Sequence, residues 1–359
     1  MKLFDNVKNR IETVVKPKGA EMNVCMLGAR GVGKTSVLTS MFHDLNAVNA
    51  NTNLQLLTAK NLRTNDNSTE ELINERYKEL HAMFNAAKQS DIVMNAGISG
   101  DFEVRDYSFQ FGCKGKGNKI NLTIKDFPGE FVKNNPDEVK AFIDESNAVI
   151  LAIDTPHMME CDGEFCEAKN QIKAISDFII KSFADLNDDK LVLLVPLKCE
   201  KYYSENRMNE VCETVEKQYE VLIDFFTNGS AKHHIACAVT PILTVGDVVF
   251  KDFIRDADGN VKTIGEDKLP AKAVYSFVSR EASYSPKYCE QPLCYLLSFV
   301  TKLYQRNKNA GSGGFLKKIS SIFKLFPDDP SLLHEVSKFG QRKIKNKDGY
   351  KIISGIAIL

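Results

Sequence analysis

The chain has 359 residues, of which 43% are hydrophobic and 26% charged, as is ordinary for a globular protein with a sizeable core. Lys plus Arg equals Asp plus Glu at 47 each, so the overall charge gives no argument for nucleic acid or an anionic surface as a partner. The nine cysteines form no C-x-x-C pair, so we expect reduced thiols and a cytoplasmic location, with a zinc site on the looser Cys pairs as the alternative.

The first elements of the chain are predicted to be a helix, a buried strand and a second helix. Residues 1–19 place apolar side chains at helical spacing and lack the continuous apolar core of a signal peptide, so they predict a short amphipathic helix. The run "MNVCML" (22–27) predicts a buried strand, and "TSVLTSMFHDL" (35–45) predicts a helix. A glycine-rich turn separates the two.

The next part of the chain predicts an insert followed by a hairpin. Residues 46–69 are polar and rich in Asn, which indicates a loop, and residues 69–89 keep the 3–4 spacing of a helix. We therefore expect a mostly helical insert at about residues 46–100. Residues 101–113 and 119–127 are predicted strands joined by the turn "KGKGN", and a helix is expected at 137–146.

The remaining body alternates strands and helices. "AVILAID" (148–154) and "KLVLLVPL" (190–197) are continuous apolar runs, as in strands that are buried on both faces of a parallel sheet. A further strand is expected at 235–243, with helices at about 164–185, 204–227 and 289–305. This alternation predicts a three-layer α/β fold with a mostly parallel sheet.

The end of the chain predicts a linker and a basic extension. "NKNAGSGG" (307–314) has the composition of a flexible linker. The extension at 315–359 is rich in Lys and Arg, and an apolar stripe over residues 313–326 marks an amphipathic helix. That helix would dock onto the acidic body, occupy the groove of a partner protein, or contact a membrane surface. The apolar terminus "GYKIISGIAIL" predicts a strand that pairs with a sheet edge.

A phosphate-binding motif occupies the first glycine-rich turn. Gly28, Gly33, Lys34 and Thr35 complete the pattern G-x-x-x-x-G-K-T between the predicted strand and helix. Glycines let backbone N–H groups face phosphate oxygens, and the helix N-terminus adds partial positive charge. Lys34 would reach the β- and γ-phosphates, and Thr35 would offer its hydroxyl to Mg²⁺. The alternative is an ordinary turn with a surface lysine.

A second motif follows the strand 119–127. Asp126 ends this strand, where its carboxylate can hold Mg²⁺ directly or through water. Gly129 comes three residues later, and its missing side chain would let the backbone N–H approach a γ-phosphate. The alternative is a simple strand-to-helix turn.

"GARGVGKT" followed by "DFPGE" resembles the Ras-like, translation-factor-related class of P-loop GTPases, over about residues 20–306. The resemblance implies a Ras-like α/β domain that binds GTP and GDP with Mg²⁺ and has two switch loops. The nucleotide contacts implied in the glycine-rich turn are Gly28, Arg30, Gly31, Val32, Gly33, Lys34, Thr35 and Ser36. More narrowly, "VPLKCEKYY", "AVTPILTVG" and "EQPLCYLL" are similar to bacterial double-GTPase families found beside conflict or defence genes.

The guanine motif N-K-x-D of that class has a degraded counterpart here. Lys198 stands at the Lys position and Glu200 at the Asp position, whereas Leu197 lacks the amide of the Asn. A carboxylate favours guanine, because adenine presents a bare N1 acceptor and would leave the carboxylate unpaired. The alternative is an exposed charged loop. Thr240 is a candidate for the last guanine loop.

Candidates for the hydrolysis step come from the same resemblance. Glu130 takes the place of the Gln that orients the attacking water, or it is a solvated carboxylate at a helix start. Arg30 lies where a partner's arginine finger would enter, so it either stabilises γ-phosphate charge in cis or faces solvent. Ser99 is a candidate switch I ligand.

The sequence therefore predicts a slowly hydrolysing, Mg²⁺-dependent GTPase switch that controls a partner protein, with Lys34, Glu130 and Arg30 in the reaction. A non-hydrolysing nucleotide-binding scaffold and an ATPase of the same fold are the alternatives.

Overall fold

A computed structural model describes residues 20–48, 53–58, 69–90, 93–94, 104–117, 119–266, 268–279, 281–309 and 320–359. The predicted helix at 1–19 and the switch candidate Ser99 lie outside these residues. The strands are β1 (Ala20–Leu27), β2 (Leu54–Thr58), β3 (Val93–Met94), β4 (Arg105–Cys113), β5 (Lys119–Asp126), β6 (Ala148–Asp154), β7 (Lys190–Leu197), β8 (Ile235–Val239), β9 (Val248–Phe253), β10 (Thr263–Ile264), β11 (Leu269–Pro270), β12 (Ala273–Phe277) and β13 (Lys351–Ser354).

The helices alternate with these strands along the chain. They are α1 (Lys34–Val48), α2 (Thr69–Ser90), α3 (Phe131–Asn134), α4 (Pro136–Glu145), α5 (Thr155–Met159), α6 (Cys166–Asn170), α7 (Ile172–Phe183), α8 (Glu200–Ser204), α9 (Met208–Gln218), α10 (Glu220–Asn228), α11 (Gln291–Asn309), α12 (Ser320–Asp328) and α13 (Pro330–Gly340). Within the described residues, no helix combines the length and apolarity needed to cross a membrane.

An eight-stranded sheet forms the middle layer, with the order β13-β8-β7-β6-β1-β5-β4-β2. Strands β5, β1, β6, β7 and β8 run parallel, and β4, β2 and β13 pair antiparallel. Every residue of β6 and β7 is buried, because both faces of these strands are covered by helices. The predicted mostly parallel α/β sheet is confirmed.

Two helical layers cover the sheet. Val37 of α1, Leu293 of α11 and Val336 of α13 belong to the apolar cluster on one face. Val139 of α4 and Ile175 of α7 belong to the cluster on the other face. Because β1 sends alternate side chains into the two clusters, the glycine-rich turn that follows it starts from a rigid strand.

The insert after α1 differs from the prediction of a loop followed by a helix. Helix α2 is confirmed at Thr69–Ser90, but Leu54–Thr58, predicted as loop, forms strand β2 at the edge of the main sheet. Leu54 and Leu56 are buried against the core, where they pair with Cys113 and Phe111 of β4. The surrounding residues are polar, so the local sequence did not indicate a strand here. Pairing with β4, and not local composition, stabilises the strand.

The C-terminal region packs on the body of the protein. Helix α11 continues to Asn309, so the first predicted linker residues 307–309 are helical; Arg306 and Lys308 in its last turn favour the helix end electrostatically. Ile322 and Phe326 of α12 are buried in the core, and α13 lies against α11. Strand β13 pairs with the sheet edge β8, as expected for the apolar terminus.

A smaller antiparallel sheet of β3, β12 and β9 stands beside the carboxyl end of the main sheet. The ring of Phe253 in β9 packs against that of His157 in a tilted arrangement, with ring centroids 4.9 Å apart. This contact fixes the small sheet next to the residues that follow β6.

Candidate functional site

The glycine-rich turn lies between a strand and a helix, as predicted from the sequence. It follows β1, and Lys34 begins α1. Gly28, Gly31 and Gly33 have φ angles of 145°, 72° and 115°, which other residues rarely adopt. Lys34 folds back into the turn, where its Nζ donates to the carbonyl oxygens of Gly28 at 2.8 Å and Ala29 at 3.5 Å. The ammonium group is thereby held inside the turn.

Asp126 faces this turn from the end of the neighbouring strand. Its Oδ2 accepts from the Thr35 hydroxyl at 3.4 Å, and its Oδ1 lies 3.8 Å from Lys34 Nζ. One hydroxyl and one carboxylate are oxygen donors of the kind that Mg²⁺ takes, with waters and phosphate oxygens completing its coordination. These residues therefore fit the magnesium role that the sequence predicts for them.

Gly129 packs directly against the glycine-rich turn. A methyl group at its Cα would lie 2.5 Å from the backbone N of Arg30 and 2.8 Å from the carbonyl carbon of Ala29. Only a residue without a side chain permits this approach. The loop after β5 and the turn after β1 are thus in direct contact.

The side chains of the two hydrolysis candidates lie at the surface of the same region. Arg30 is exposed, and its carbonyl oxygen accepts from Lys169 Nζ at 2.9 Å. Glu130 is partly exposed at the N-terminus of α3, where its side chain makes no capping hydrogen bond. Of the other residues predicted in the turn, Val32 is buried in the core, and Ser36 is partly exposed on α1.

Asp154, at the end of β6, is a charged residue of the site that sequence reasoning missed. Its side chain is 0% exposed and accepts from Lys198 Nζ at 2.6 Å. It also contacts His157 Nδ1 at 2.6 Å and accepts from the His157 backbone N–H at 3.2 Å. Burial alone would raise the pKa of Asp154, but Lys198 and His157 hold it well below its usual range. Asp154 is therefore a buried anion beside the turn.

Lys198 connects this anion to the glycine-rich turn. Its Nζ donates to the carbonyl oxygen of Gly31 at 3.2 Å as well as to Asp154. Burial lowers the pKa of Lys198, but Asp154 outweighs it and the net shift is upward. The lysine follows β7 with φ 61°, a strained value that the two contacts help to hold.

Glu200 is buried and is held by a neighbouring loop. Its Oε1 accepts from the backbone N–H of Val245 at 2.8 Å, from that of Gly246 at 3.3 Å and from the Thr244 hydroxyl at 3.3 Å. Glu200 is only 4% exposed to solvent. Burial raises the pKa of Glu200, and the hydrogen bonds from Val245 and Gly246 oppose this shift.

The loop that meets Glu200 is therefore Thr244–Gly246, four residues beyond the predicted Thr240. Thr240 itself is fully buried, and its backbone N–H donates to Leu194 O within the sheet. Its hydroxyl has no hydrogen-bond partner among the residues described. The structure thus places Thr240 directly after β8, hydrogen-bonded to β7, and Thr244 in the loop that follows.

The site gathers at the carboxyl ends of four neighbouring parallel strands, β5, β1, β6 and β7. Asp126, Gly28, Asp154 and Lys198 stand at or just beyond these four ends. The strand-end rule that singled out Asp126 applies equally to Asp154 and would have found it. For Lys169 and Thr244–Gly246 the sequence carries no comparable signal.

No family model matches the sequence, and a search of curated proteins finds no match either. Among solved structures, the chain is similar to the S. cerevisiae Ski7 GTPase-like domain bound to GTP, with 12% identity, a TM-score of 0.38 and coverage of 68% of this chain. The same domain bound to GDP and inorganic phosphate matches with 14% identity, a TM-score of 0.36 and 67% coverage. Sup35 complexed with GDP matches with 11% identity, a TM-score of 0.29 and 72% coverage.

The chain spans less than half of the length of these structures, with 45% of each Ski7 chain and 44% of the Sup35 chain covered.

Proposed function

We propose that this protein binds GTP with Mg²⁺, hydrolyses it slowly, and uses the nucleotide state to control a partner protein. The observation that carries the proposal is the convergence of Lys34, Thr35 and Asp126 at one glycine-rich turn. The ammonium and hydroxyl groups come from the first turn of α1, and the carboxylate comes from the end of β5. This set matches the needs of a nucleoside triphosphate and its metal ion.

The phosphate chain would lie in the turn before α1. Backbone N–H groups of residues 28–34 would bind its oxygens, and Lys34 would exchange its bonds to Gly28 and Ala29 for bonds to phosphate. Thr35 and Asp126 would hold Mg²⁺, which supplies positive charge against the phosphate oxygens. The Gly129 N–H would sense the γ-phosphate, since its loop already touches the turn.

Guanine would be selected at the edge formed by Glu200 and the loop Thr244–Gly246. The stem of Lys198 would pack along the base, because its ammonium group is anchored on Asp154 and Gly31. The Glu200 carboxylate would accept from the ring N–H and the amino group of guanine, which adenine lacks in that arrangement.

An ATPase of the same fold is the second candidate, and one observation favours it. Glu200 Oε1 already accepts from Val245, Gly246 and Thr244. If the carboxylate serves only this loop, it does not read the base and the selectivity for guanine is lost.

Turnover would be slow because the water-orienting position carries Glu130. A carboxylate can accept a hydrogen bond from the attacking water, but its charge repels the triphosphate. Arg30 would offset this charge in cis if its exposed side chain turns towards the γ-phosphate. A cytoplasmic partner protein, in a bacterial defence system of the kind that the narrower sequence resemblance suggests, would read the resulting state.

Two measurements test the proposal. Calorimetric competition between GTP and ATP in the presence of Mg²⁺ should show tighter GTP binding; tighter ATP binding would favour the ATPase. Phosphate release by Lys34→Ala should fall at least about a hundredfold, whereas the exposed Lys217→Ala should match the wild-type protein. Equal rates in Lys34→Ala and wild type would leave only a non-hydrolysing scaffold.

A further inference from the structure

In the glycine-rich turn, the carbonyl oxygens of the four consecutive residues 28–31 accept hydrogen bonds from lysine ammonium groups. Two of these lysines already belong to sequence motifs: Lys34 to the glycine-rich motif and Lys198 to the counterpart of the guanine motif. The third, Lys169 of α6, belongs to no motif. The bonds run from Lys34 to Gly28 O (2.8 Å) and Ala29 O (3.5 Å), from Lys169 to Arg30 O (2.9 Å), and from Lys198 to Gly31 O (3.2 Å).

We propose that Lys169 is a positioning residue that orients the Arg30–Gly31 peptide for phosphate binding. A trans peptide is planar, so its C=O and N–H groups point in opposite directions. A cation that holds the Arg30 C=O therefore directs the Gly31 N–H to the far side of the turn, towards the phosphate chain. The inference rests on the proposed function, because it assumes that phosphate occupies the turn.

The turn is shaped to admit this lysine. Gly31 has φ 72°, and a methyl group at its Cα would lie 3.3 Å from Lys169 Nζ. That contact is tighter than an ordinary packing distance, so a side chain at residue 31 would press against the ammonium group. The absence of a side chain at Gly31 therefore leaves the ammonium group beside the peptide undisturbed.

Helix α6 is anchored to the strand that ends beside the turn. Asn170 Oδ1 accepts from the Asp154 backbone N–H at 2.7 Å, and Asn170 Nδ2 donates to Asp154 O at 3.2 Å. The next residue, Gln171, has φ 51° and ends the helix. Because Lys169 immediately precedes this anchor, its backbone has a fixed position relative to β6.

The charged groups around Lys169 are mostly positive, as suits a turn that binds an anionic phosphate chain. Asp154 supplies the negative charge, whereas Lys198, Lys34 and Arg30 are positive neighbours. Burial lowers the pKa of Lys169, the three cations lower it further, and Asp154 opposes them. A bound triphosphate would compensate this excess of positive charge. Binding of the triphosphate would therefore stabilise the charged form of Lys169, and the charged form would strengthen binding.

The test compares Lys169→Met, Lys169→Arg and the exposed control Lys173→Met in the full-length chain. Titration calorimetry with Mg²⁺·GDP and with a non-hydrolysable Mg²⁺·GTP analogue yields both the affinity and the fraction of binding-competent protein. Lys169→Met should bind both nucleotides about tenfold more weakly, since a charge-assisted hydrogen bond to the turn is lost. Lys169→Arg should recover most of this loss, and Lys173→Met should match wild type.

A merely structural role would lower the binding-competent fraction and leave the affinity of that fraction unchanged, and this outcome would overturn the inference. If Lys169→Met yields no folded protein, Lys169→Gln takes its place with the same expectation. A parallel Lys34→Met variant separates the two proposals. If Lys34→Met loses binding while Lys169→Met keeps wild-type affinity, only the role of Lys169 is refuted; if Lys34→Met also binds normally, the proposed nucleotide site fails.

Discussion

Replacing Gly129 by Ala should uncouple the loop after β5 from the glycine-rich turn. The added methyl group would lie 2.5 Å from Arg30 N, 2.8 Å from Ala29 C and 2.9 Å from Ala29 Cα. All three are backbone atoms, so no flexible side chain can turn aside to make room. The loop must move instead.

The size of the effect follows from these distances. Carbon atoms in contact normally stay about 3.5 Å apart, so the loop must retreat by roughly 1 Å. Such overpacking costs about 2 kcal/mol, which is roughly thirtyfold in an equilibrium constant. If nucleotide binds as proposed, the retreat carries the Gly129 N–H away from the γ-phosphate position, so the loss should fall on the triphosphate and spare the diphosphate.

The assay is the ratio of dissociation constants for Mg²⁺·GDP and a non-hydrolysable Mg²⁺·GTP analogue. Gly117→Ala is the matched control, since a methyl group there meets no atom within 4 Å. Gly129→Ala should lower the preference for the triphosphate about thirtyfold, and Gly117→Ala should leave it unchanged. A Gly129→Ala protein with the wild-type ratio would show that contact with the turn does not set the position of this loop.

Three further predictions concern the buried charges. Lys190 is 1% exposed and donates to the carbonyl oxygens of Ile143, Asp144 and Ser146 at the end of α4. Lys190→Met should therefore lower the free energy of unfolding, measured in urea, by about 3 kcal/mol. A decrease of less than about 1 kcal/mol would contradict this prediction. The pKa of Asp154 is lowered in the folded state, so its contribution to stability is present above about pH 4 and is lost as the pH falls further. Asp154→Asn should therefore lose stability less steeply than wild type between about pH 5 and 3. Parallel plots of unfolding free energy against pH for the two proteins would argue against this prediction. Glu200→Gln should weaken GTP binding more than ATP binding in calorimetric competition, whereas an equal effect on both would assign Glu200 to the loop alone.

Much of the fold could be predicted from local patterns. The all-apolar runs of β6 and β7 marked strands covered on both sides, and every residue of both strands is buried. The 3–4 spacing of residues 69–89 predicted α2 almost to its last residue. Strand β2 escaped prediction because its pairing partner, β4, lies about 50 residues further along the chain.

The candidate site was predictable only in part. The glycine pattern located Lys34 and Thr35, and the strand-end position located Asp126. The last guanine loop was expected at Thr240, but the loop that reaches the Glu200 carboxylate begins at Thr244. Between the two, the chain continues beside β7 before it leaves the sheet, and no sequence pattern marks that point.

The sequence by itself determined the class of fold and located the glycine-rich turn, because both depend on residues that are close together in the chain. Only the tertiary structure decided which charges surround that turn. Asp154 meets Lys198 across 44 residues, and Lys169 meets Arg30 across 139. These contacts follow from the order of the strands in the sheet, which places the ends of β5, β1, β6 and β7 side by side. Strand order is set by long-range packing, and local spacing of residues does not encode it.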